Sequence, residues 1–145
     1  MPEITLQAER NNFSTLMSFV EDIAKAIGFA KSALYRVNLA AEEAIINVIN
    51  YAYPQEVGPI TLLCEEVTTP QKGIKLQISD HGIAFDPLAK VDPDIEQAIE
   101  DRPIGGLGIH LVKKTANEIS YQRDNNTNIF TIVFYLPDGQ VQAVE

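Results

Sequence analysis

The spacing of hydrophobic residues changes along the chain, and the order of these changes constrains the fold more than any other feature. Apolar residues at helical spacing predict three helices, at 13–27, from about 32 to 53, and from 109 to about 117. Alternating apolar and polar residues predict five strands, at 3–8, 60–64, 74–79, 119–123 and 127–136. This order predicts an α+β two-layer sandwich, with the helices on one face of a mixed, mostly antiparallel sheet.

Length and charge narrow the classes of function. A chain of 145 residues fits a single domain, spanning 1–145, with one hydrophobic core. Twenty acidic and 11 basic residues give a formal net charge of −9. Because this charge repels a phosphate backbone and no basic stripe offsets it, we expect no nucleic-acid partner. A bound nucleotide is still compatible, since Mg²⁺ and backbone N–H groups neutralise phosphates locally.

The first residues and the cysteine content bear on the cellular compartment. The sequence starts without a basic region followed by an apolar stretch, and no apolar run approaches the ~18 residues that span a bilayer. Cys64 is the only cysteine, so no intrachain disulfide forms. We therefore expect a cytoplasmic protein without a membrane partner.

Asp80 is the first candidate binding residue, because it follows the strand residues Ile74, Leu76 and Ile78. Alternate residues of a strand share a face, so the carboxylate is expected to point toward the helices. A semi-buried carboxylate needs a hydrogen-bond donor, and the exocyclic amine of adenine is one. Gly82, two residues on, lets a ligand approach the backbone closely. The alternative is an ordinary turn in which Asp80 bonds its own loop.

A carboxylate and an amide lie one turn apart in the second predicted helix. Glu43 and Asn47 are four residues apart, so their side chains stack on one edge of a helix that is apolar nearly all round. The amide oxygen of Asn47 suits Mg²⁺, and Glu43 is placed to deprotonate an attacking hydroxyl or water. A solvated helix edge explains the pair equally well.

A glycine-rich segment precedes the third predicted helix. Gly105, Gly106, Leu107 and Gly108 leave the backbone free to turn its N–H groups inward, and the start of the helix adds its dipole, so a phosphate is favoured here. A simple hinge explains the same glycines, and the two explanations are compatible in a lid. Arg102 is close enough in sequence to contact a terminal phosphate, and a short helix is predicted at 94–100.

The last predicted strand is apolar except for Thr131. A threonine in a strand usually reflects β-propensity alone, but its hydroxyl is also able to donate to a ligand or to a bridging water. This strand and the first strand together are a candidate contact for a homodimer.

Together these segments resemble the GHKL superfamily, which has the histidine kinase-like ATPase (Bergerat) fold, and within it the small anti-sigma factor serine kinases. Segment 39–53 is similar to their N-box, 79–87 to their first glycine box, 105–112 to the second, and 128–131 to the closing strand. The resemblance extends from the first helix to Phe134.

The resemblance implies a role for each matched residue. Asn47 would bind Mg²⁺, Glu43 would be the base, Asp80 would contact adenine with support from Gly82 and Thr131, and Gly106 and Gly108 would line the phosphates under a lid formed by the segment between 87 and 105. The sequence departs from the pattern at one point. The phosphate-binding arginine that some relatives place just before the second glycine box is Ile104 here, with Arg102 displaced.

The resemblance also implies a function. Members of this family bind ATP with Mg²⁺, phosphorylate a serine or threonine of a STAS-domain anti-sigma factor antagonist, and sequester a sigma factor. No phospho-acceptor histidine box precedes the fold in this sequence, which disfavours a sensor histidine kinase. Two alternatives stay open: an ATP-binding interaction module of the same fold that transfers no phosphate, and a small ATP hydrolase without a protein substrate.

Overall fold

The computed structural model describes residues 2–89 and 106–137. The described strands are β1 (Glu3–Gln7), β2 (Pro59–Val67), β3 (Gly73–Asp80), β4 (Glu118–Asp124) and β5 (Thr127–Tyr135). The helices are α1 (Phe13–Ile27), α2 (Lys31–Asn47) and α3 (Gly106–Thr115), and a π-helical turn, Val48–Ala52, continues α2. Single 3-10 turns lie at Arg10–Asn12 and Pro87–Ala89.

The five described strands form one sheet in the order β1-β2-β3-β5-β4. All four pairings among them are antiparallel, so the predicted α+β sandwich is confirmed with a sheet that is antiparallel rather than mixed. Short connections explain two of these pairings, because β2 and β3, and likewise β4 and β5, are consecutive hairpin partners. The second hairpin turns through Asn125 and Asn126, which both have positive φ, as a tight two-residue hairpin requires.

The strand order bears on the predicted dimer contact. β5 lies inside the sheet between β3 and β4, whereas β1 lies at an edge and pairs only with β2 among the described strands. Of the two strands predicted as a contact, only β1 therefore has an unpaired edge for another chain.

The core lies between α1, α2 and the inner face of the sheet. α1 buries residues at helical spacing, among them Leu16, Val20 and Ala24, and it ends at Gly28 as predicted. Gly28 has a φ of +129°, a backbone conformation that residues other than glycine rarely adopt. On the sheet, alternate residues of β2 and β3 supply the opposite wall, with Leu62 and Leu76 fully buried.

Two helix boundaries differ from the prediction. The second predicted helix is α-helical only to Asn47, and its last turn is the π-helical turn Val48–Ala52. Hydrophobic spacing does not reveal this change, because a single wider turn barely disturbs the apolar pattern. α3 begins at Gly106, three residues before the predicted start, so its glycines lie in a helix rather than in a loop.

Some predictions concern residues outside the described part of the chain. The predicted short helix at 94–100, Arg102 and Gly105 all lie there. Among the described helices, none is long and apolar enough to cross a membrane.

Candidate functional site

A small, partly enclosed cavity with a water-accessible volume of about 30 Å³ lies between the end of α2 and the inner face of the sheet. The helix layer, the sheet and the loop after β3 all contribute to its lining: Ala44, Asn47, Val48, Ala52, Ile78, Asp80, Phe85, Pro87, Tyr121, Asn128 and Phe130. Two of the predicted site residues, Asn47 and Asp80, are thus brought together in one cavity.

Asp80 is buried at the end of β3, as its place in the alternating pattern predicts, with 6% of its surface exposed. Its Oδ1 atom accepts hydrogen bonds from the backbone N–H of Gly82 at 2.8 Å and from Nδ2 of Asn128 at 2.9 Å. Its Oδ2 atom has no hydrogen-bond partner among the described residues. One carboxylate oxygen therefore holds the loop, as the turn interpretation requires, and the other remains available as an acceptor.

Asn128 is the site residue that sequence reasoning missed. It lies directly opposite Asp80 in the β3–β5 register and is 4% exposed. The hairpin turn in the sequence could have identified it. A turn at Asn125 and Asn126 fixes the register of β4 and β5, and this register places Asn128 among the residues of β5 that face inward.

Thr131 requires a correction, because the structure places it outside the cavity. It pairs with Gln77, whose Nε2 atom lies 3.4 Å from the Thr131 hydroxyl, on the opposite face of the sheet from Asp80. The reason is the two-residue period of a strand: Asn128 and Thr131 are three positions apart and so point to opposite faces. In this structure Thr131 does not support a contact at Asp80.

Asn47 is buried at the end of α2 with its polar atoms unused. Its side chain is 4% exposed, and neither Oδ1 nor Nδ2 has a hydrogen-bond partner among the described residues. A buried polar group without a partner carries a free-energy penalty of about 1–3 kcal/mol. The alternative of a solvated helix edge is therefore wrong for Asn47.

Glu43 lies one turn before Asn47 and is half-buried. Its Oε1 atom is buried without a hydrogen-bond partner among the described residues. Burial, with a smaller contribution from the charge of Glu42, raises the pKa of the Glu43 carboxyl above its ordinary value. Glu43 is not one of the residues that line the cavity, so it lies beside Asn47 rather than next to Asp80.

The donor set fits a magnesium ion that arrives with a ligand. The described residues contain no group of three His, Cys, Asp or Glu side chains that could hold a metal. Mg²⁺ does not need such a group, because it usually keeps several waters and takes one or two protein oxygens together with substrate phosphates. The amide oxygen of Asn47, which has no partner among the described residues, is an atom of the type that Mg²⁺ takes in such sites.

Gly82 has a different role from the one that its position in the sequence indicated. A Cβ atom built on Gly82 would lie 2.1 Å from the backbone oxygen of Ala52, so the π-helical turn rather than a ligand approaches this glycine closely. The N–H of the next residue, Ile83, donates to the same Ala52 oxygen at 2.9 Å. Tyr53 stabilises the contact between the π-helical turn and the loop after β3. Its hydroxyl donates to the carbonyl of Pro59 and accepts from the N–H of His81.

Gly106, Leu107 and Gly108 form the first turn of α3. The first N–H groups of a helix have no partners within the helix, and the dipole favours negative charge there, so this turn suits a phosphate. Arg102 and Gly105, which were predicted to act with it, lie outside the described residues.

These features define a class of protein: a small α+β sandwich whose ligand pocket lies between the helices and an antiparallel sheet, with one buried carboxylate on a strand and one buried amide on a helix. Residues 6–134 match the family described as histidine kinase-like ATPase domain. The chain belongs to this family, and the resemblance to the GHKL superfamily is confirmed.

Individual relatives agree with this assignment. The chain is 25% identical to serine-protein kinase RsbW of Bacillus cereus (strain ATCC 10987 / NRS 248) over 144 residues, which cover 97% of this chain and 88% of that protein. It is 24% identical to serine-protein kinase RsbW of Bacillus mycoides (strain KBAB4), with the same coverage. Among solved structures, the histidine kinase domain of the Erythrobacter litoralis EL346 blue-light activated histidine kinase matches with a TM-score of 0.51 at 11% identity, covering 90% of this chain and 69% of that domain. This structural match shows the fold.

Proposed function

We propose that this chain is an ATP-binding regulatory serine/threonine-protein kinase that phosphorylates a STAS-domain anti-sigma factor antagonist. The observation that carries the proposal is Asn47, which is buried with both polar atoms unpartnered and lines the same cavity as Asp80. A polar group at this depth is expected to have a partner, and a ligand-bound cation supplies one. The similarity to proteins named serine-protein kinase RsbW supports phosphoryl transfer as the reaction.

Asp80 would recognise the base. Its Oδ2 atom is an acceptor that the described residues leave unused, and the exocyclic amine of adenine is a matching donor. Ile78, Phe85 and Phe130 line the same cavity and would cover the faces of the base.

Asn47 and the start of α3 would hold the other end of the nucleotide. When bound, Mg²⁺ neutralises charge on the phosphates. Asn47 offers its Oδ1 atom as a protein ligand of the ion, and the N–H groups at Gly106–Gly108 offer donors to phosphate oxygens. Arg102 and Gly105, which lie outside the described residues, would complete the proposed phosphate contacts.

Glu43 would act as the general base. The oxygen of the substrate hydroxyl forms a bond to the γ-phosphorus, the bond between that phosphorus and the leaving ADP oxygen breaks, and Glu43 takes the hydroxyl proton. A raised carboxyl pKa suits this role, because a base works best when its pKa lies near the pH of the reaction.

The test is phosphoryl transfer from ATP to a STAS-domain antagonist by Glu43→Gln. We expect this variant to lose about 10²-fold or more of the transfer rate and to keep ATP binding, because general-base catalysis is typically of this size. Glu42→Gln is the matched control, since Glu42 is the exposed neighbour of Glu43 on the same helix and is expected to transfer phosphate like the wild type.

Full transfer by Glu43→Gln would contradict the role of Glu43 as the base, and two other outcomes would contradict the kinase proposal itself. A wild type that binds ATP but never phosphorylates such an antagonist would favour the interaction module, and steady hydrolysis of ATP without a protein substrate would favour the hydrolase.

We further propose that the protein acts in the cytoplasm as a homodimer that sequesters a sigma factor. The unpaired edge of β1 supports a contact between copies. Sedimentation at tens of micromolar tests it, and a monomer at that concentration would count against the dimer. Pull-downs with Mg²⁺-ATP and with Mg²⁺-ADP test whether a sigma factor is retained in a nucleotide-dependent way.

A further inference from the structure

We propose that Tyr121 and Arg123 are specificity-determining positioning residues, which make the cavity accept purines with a 6-amino group and reject purines with a 6-oxo group. They act through the side-chain amide of Asn128. The inference rests on the proposed function, because it concerns the nucleotide of the same cavity.

Tyr121 and Arg123 both hold the oxygen of the Asn128 amide. They are alternate residues of β4, and they pair across the sheet with Phe130 and Asn128, so all four share the inner face. The Tyr121 hydroxyl donates to Oδ1 of Asn128 at 2.5 Å, and Nη1 of Arg123 donates to the same oxygen at 3.1 Å. Two donors from a neighbouring strand thus converge on one buried acceptor.

The nitrogen of the same amide is occupied from the other side. Nδ2 of Asn128 donates to Oδ1 of Asp80 at 2.9 Å and to the backbone oxygen of Ile83 at 2.7 Å. A primary amide has two N–H donors, and both are used here.

These four contacts fix the orientation of the amide. A guanidinium has no acceptor and a backbone carbonyl has no donor, so neither can exchange its role. In a flipped amide, the N–H groups of Asn128 would face Arg123, and its oxygen would face the Asp80 carboxylate and the Ile83 carbonyl. Both contacts would be repulsive.

Because the Asn128 amide is fixed and both of its N–H groups are used, it determines which hydrogen-bonding atoms the ligand contacts. Asn128 lines the cavity but has no free donor to offer. On the Asp80–Asn128 side of the cavity, the described residues then leave one side-chain atom, Oδ2 of Asp80, for the ligand, and this atom is an acceptor. A 6-amino group donates to this oxygen, whereas a 6-oxo group in the same pose places two acceptors against each other.

Removal of the two donors is expected to relax this selectivity. Without Tyr121 and Arg123, the Asn128 oxygen keeps a single contact among the described residues, at 3.5 Å from the N–H of Phe85. The amide is then held mainly through Nδ2, so a rotation that gives up one of its two donations, to Asp80 or to Ile83, turns that N–H toward a 6-oxo group.

The test is a calorimetric titration of the full chain with Mg²⁺-ATP and with Mg²⁺-ITP, which differ at the 6-position. The variants are Tyr121→Phe, Arg123→Met and the double variant, and Arg123→Lys tests rescue by a second cationic donor. Arg36→Met is the matched control, because Arg36 is an exposed arginine of α2 that does not line this cavity.

We expect the ratio of ATP affinity to ITP affinity to fall about tenfold in the double variant, which corresponds to about 1.4 kcal/mol. We expect a smaller fall in each single variant, a ratio close to the wild type in Arg123→Lys, and no change in Arg36→Met. A merely structural role would weaken both nucleotides by the same factor and leave the ratio unchanged, and that result would overturn the proposal.

The single variant Tyr121→Phe separates a change in selectivity from a loss of structure. Arg123 also donates to the backbone oxygen of Gly82 at 2.9 Å, so its loss loosens the loop after β3. Tyr121→Phe removes a single hydroxyl, and its ratio decides the test if the double variant does not fold. A wild type that binds neither nucleotide would refute the proposed function itself, whereas a wild type that binds ATP while the Tyr121→Phe ratio stays unchanged would refute only this inference.

Discussion

Replacement of Asn47 by leucine is expected to stabilise the ligand-free protein while it abolishes nucleotide binding. Asn47 is 4% exposed and both of its polar atoms lack hydrogen-bond partners among the described residues. Leucine has the same branching and no polar atom to satisfy, so the substitution removes the penalty of burying an unpaired amide. The same substitution removes the oxygen that we propose as a ligand of Mg²⁺.

The size of the effect follows from these two atoms. Each unpaired buried polar atom costs about 1–3 kcal/mol. The amide has two such atoms and borders the cavity, so water there offsets part of their combined cost. We therefore expect the free energy of unfolding to rise by about 1–3 kcal/mol in Asn47→Leu. For a chain of this length, that corresponds to a rise in Tm of roughly 2–10 °C.

Urea denaturation and thermal melting, each with and without Mg²⁺-ATP, measure both parts of the prediction. A ligand at 100 times its Kd stabilises a protein by about 2.7 kcal/mol, so the wild type should gain this amount and Asn47→Leu should gain nothing. Asn38→Leu is the matched control. Asn38 is half-buried on the same helix, and its Nδ2 atom donates to Glu21 at 3.2 Å. The control removes a buried Oδ1 that lacks a partner among the described residues but also loses that bond, so it should gain little stability and keep the ligand effect.

Two results would refute the reasoning. A ligand-free Asn47→Leu that is less stable than the wild type would mean that the Asn47 amide has partners in solution. An undiminished stabilisation by Mg²⁺-ATP in Asn47→Leu would mean that Asn47 does not contribute to binding.

Three further predictions follow from single residues. Because burial raises the pKa of Glu43 above its ordinary 4.5, the folded state favours the protonated carboxyl, so Glu43→Gln should be more stable than the wild type at pH 7. This advantage should vanish below pH ~4.5, and equal stability at pH 7 would contradict it. Gly82→Ala places a Cβ 2.1 Å from the Ala52 oxygen and should lower the free energy of unfolding by about 2–4 kcal/mol in urea titrations; a neutral substitution would contradict the close approach. Cys64 is fully buried and burial raises its pKa to about 12, so a thiol reagent at pH 8 should label it only as fast as the chain unfolds. Labelling of the native protein at the rate of a free thiol would refute this.

Most of the fold follows from the spacing of apolar residues. α1 has the predicted bounds because Gly28 ends it, and the five strands were found because more exposed and less exposed residues alternate along each of them. The end of α2 was missed, since a π-helical turn preserves the apolar pattern and depends on the contacts of Ala52 with Gly82 and Ile83. Those contacts join segments that are far apart in sequence.

The candidate site could be predicted where one element determines the side-chain direction. Asp80 and Asn47 follow from the face of a strand and of a helix. Asn128 was missed and Thr131 was misplaced, because their positions depend on the register between β3 and β5. The roles of Tyr121 and Arg123 depend on a third strand, β4, and on the direction of an amide, which no single segment encodes.

The most direct measurement of the central claim is a calorimetric titration of the wild type and Asp80→Asn with Mg²⁺-ATP. Gly82 and Asn128 both donate to one atom at position 80, so an asparagine there keeps its oxygen on that side and turns its N–H groups to the ligand. We expect binding at one site per chain in the wild type and an affinity at least about 10²-fold lower in Asp80→Asn, since two donors then face each other. No binding heat in the wild type, or equal affinity in Asp80→Asn, would contradict it.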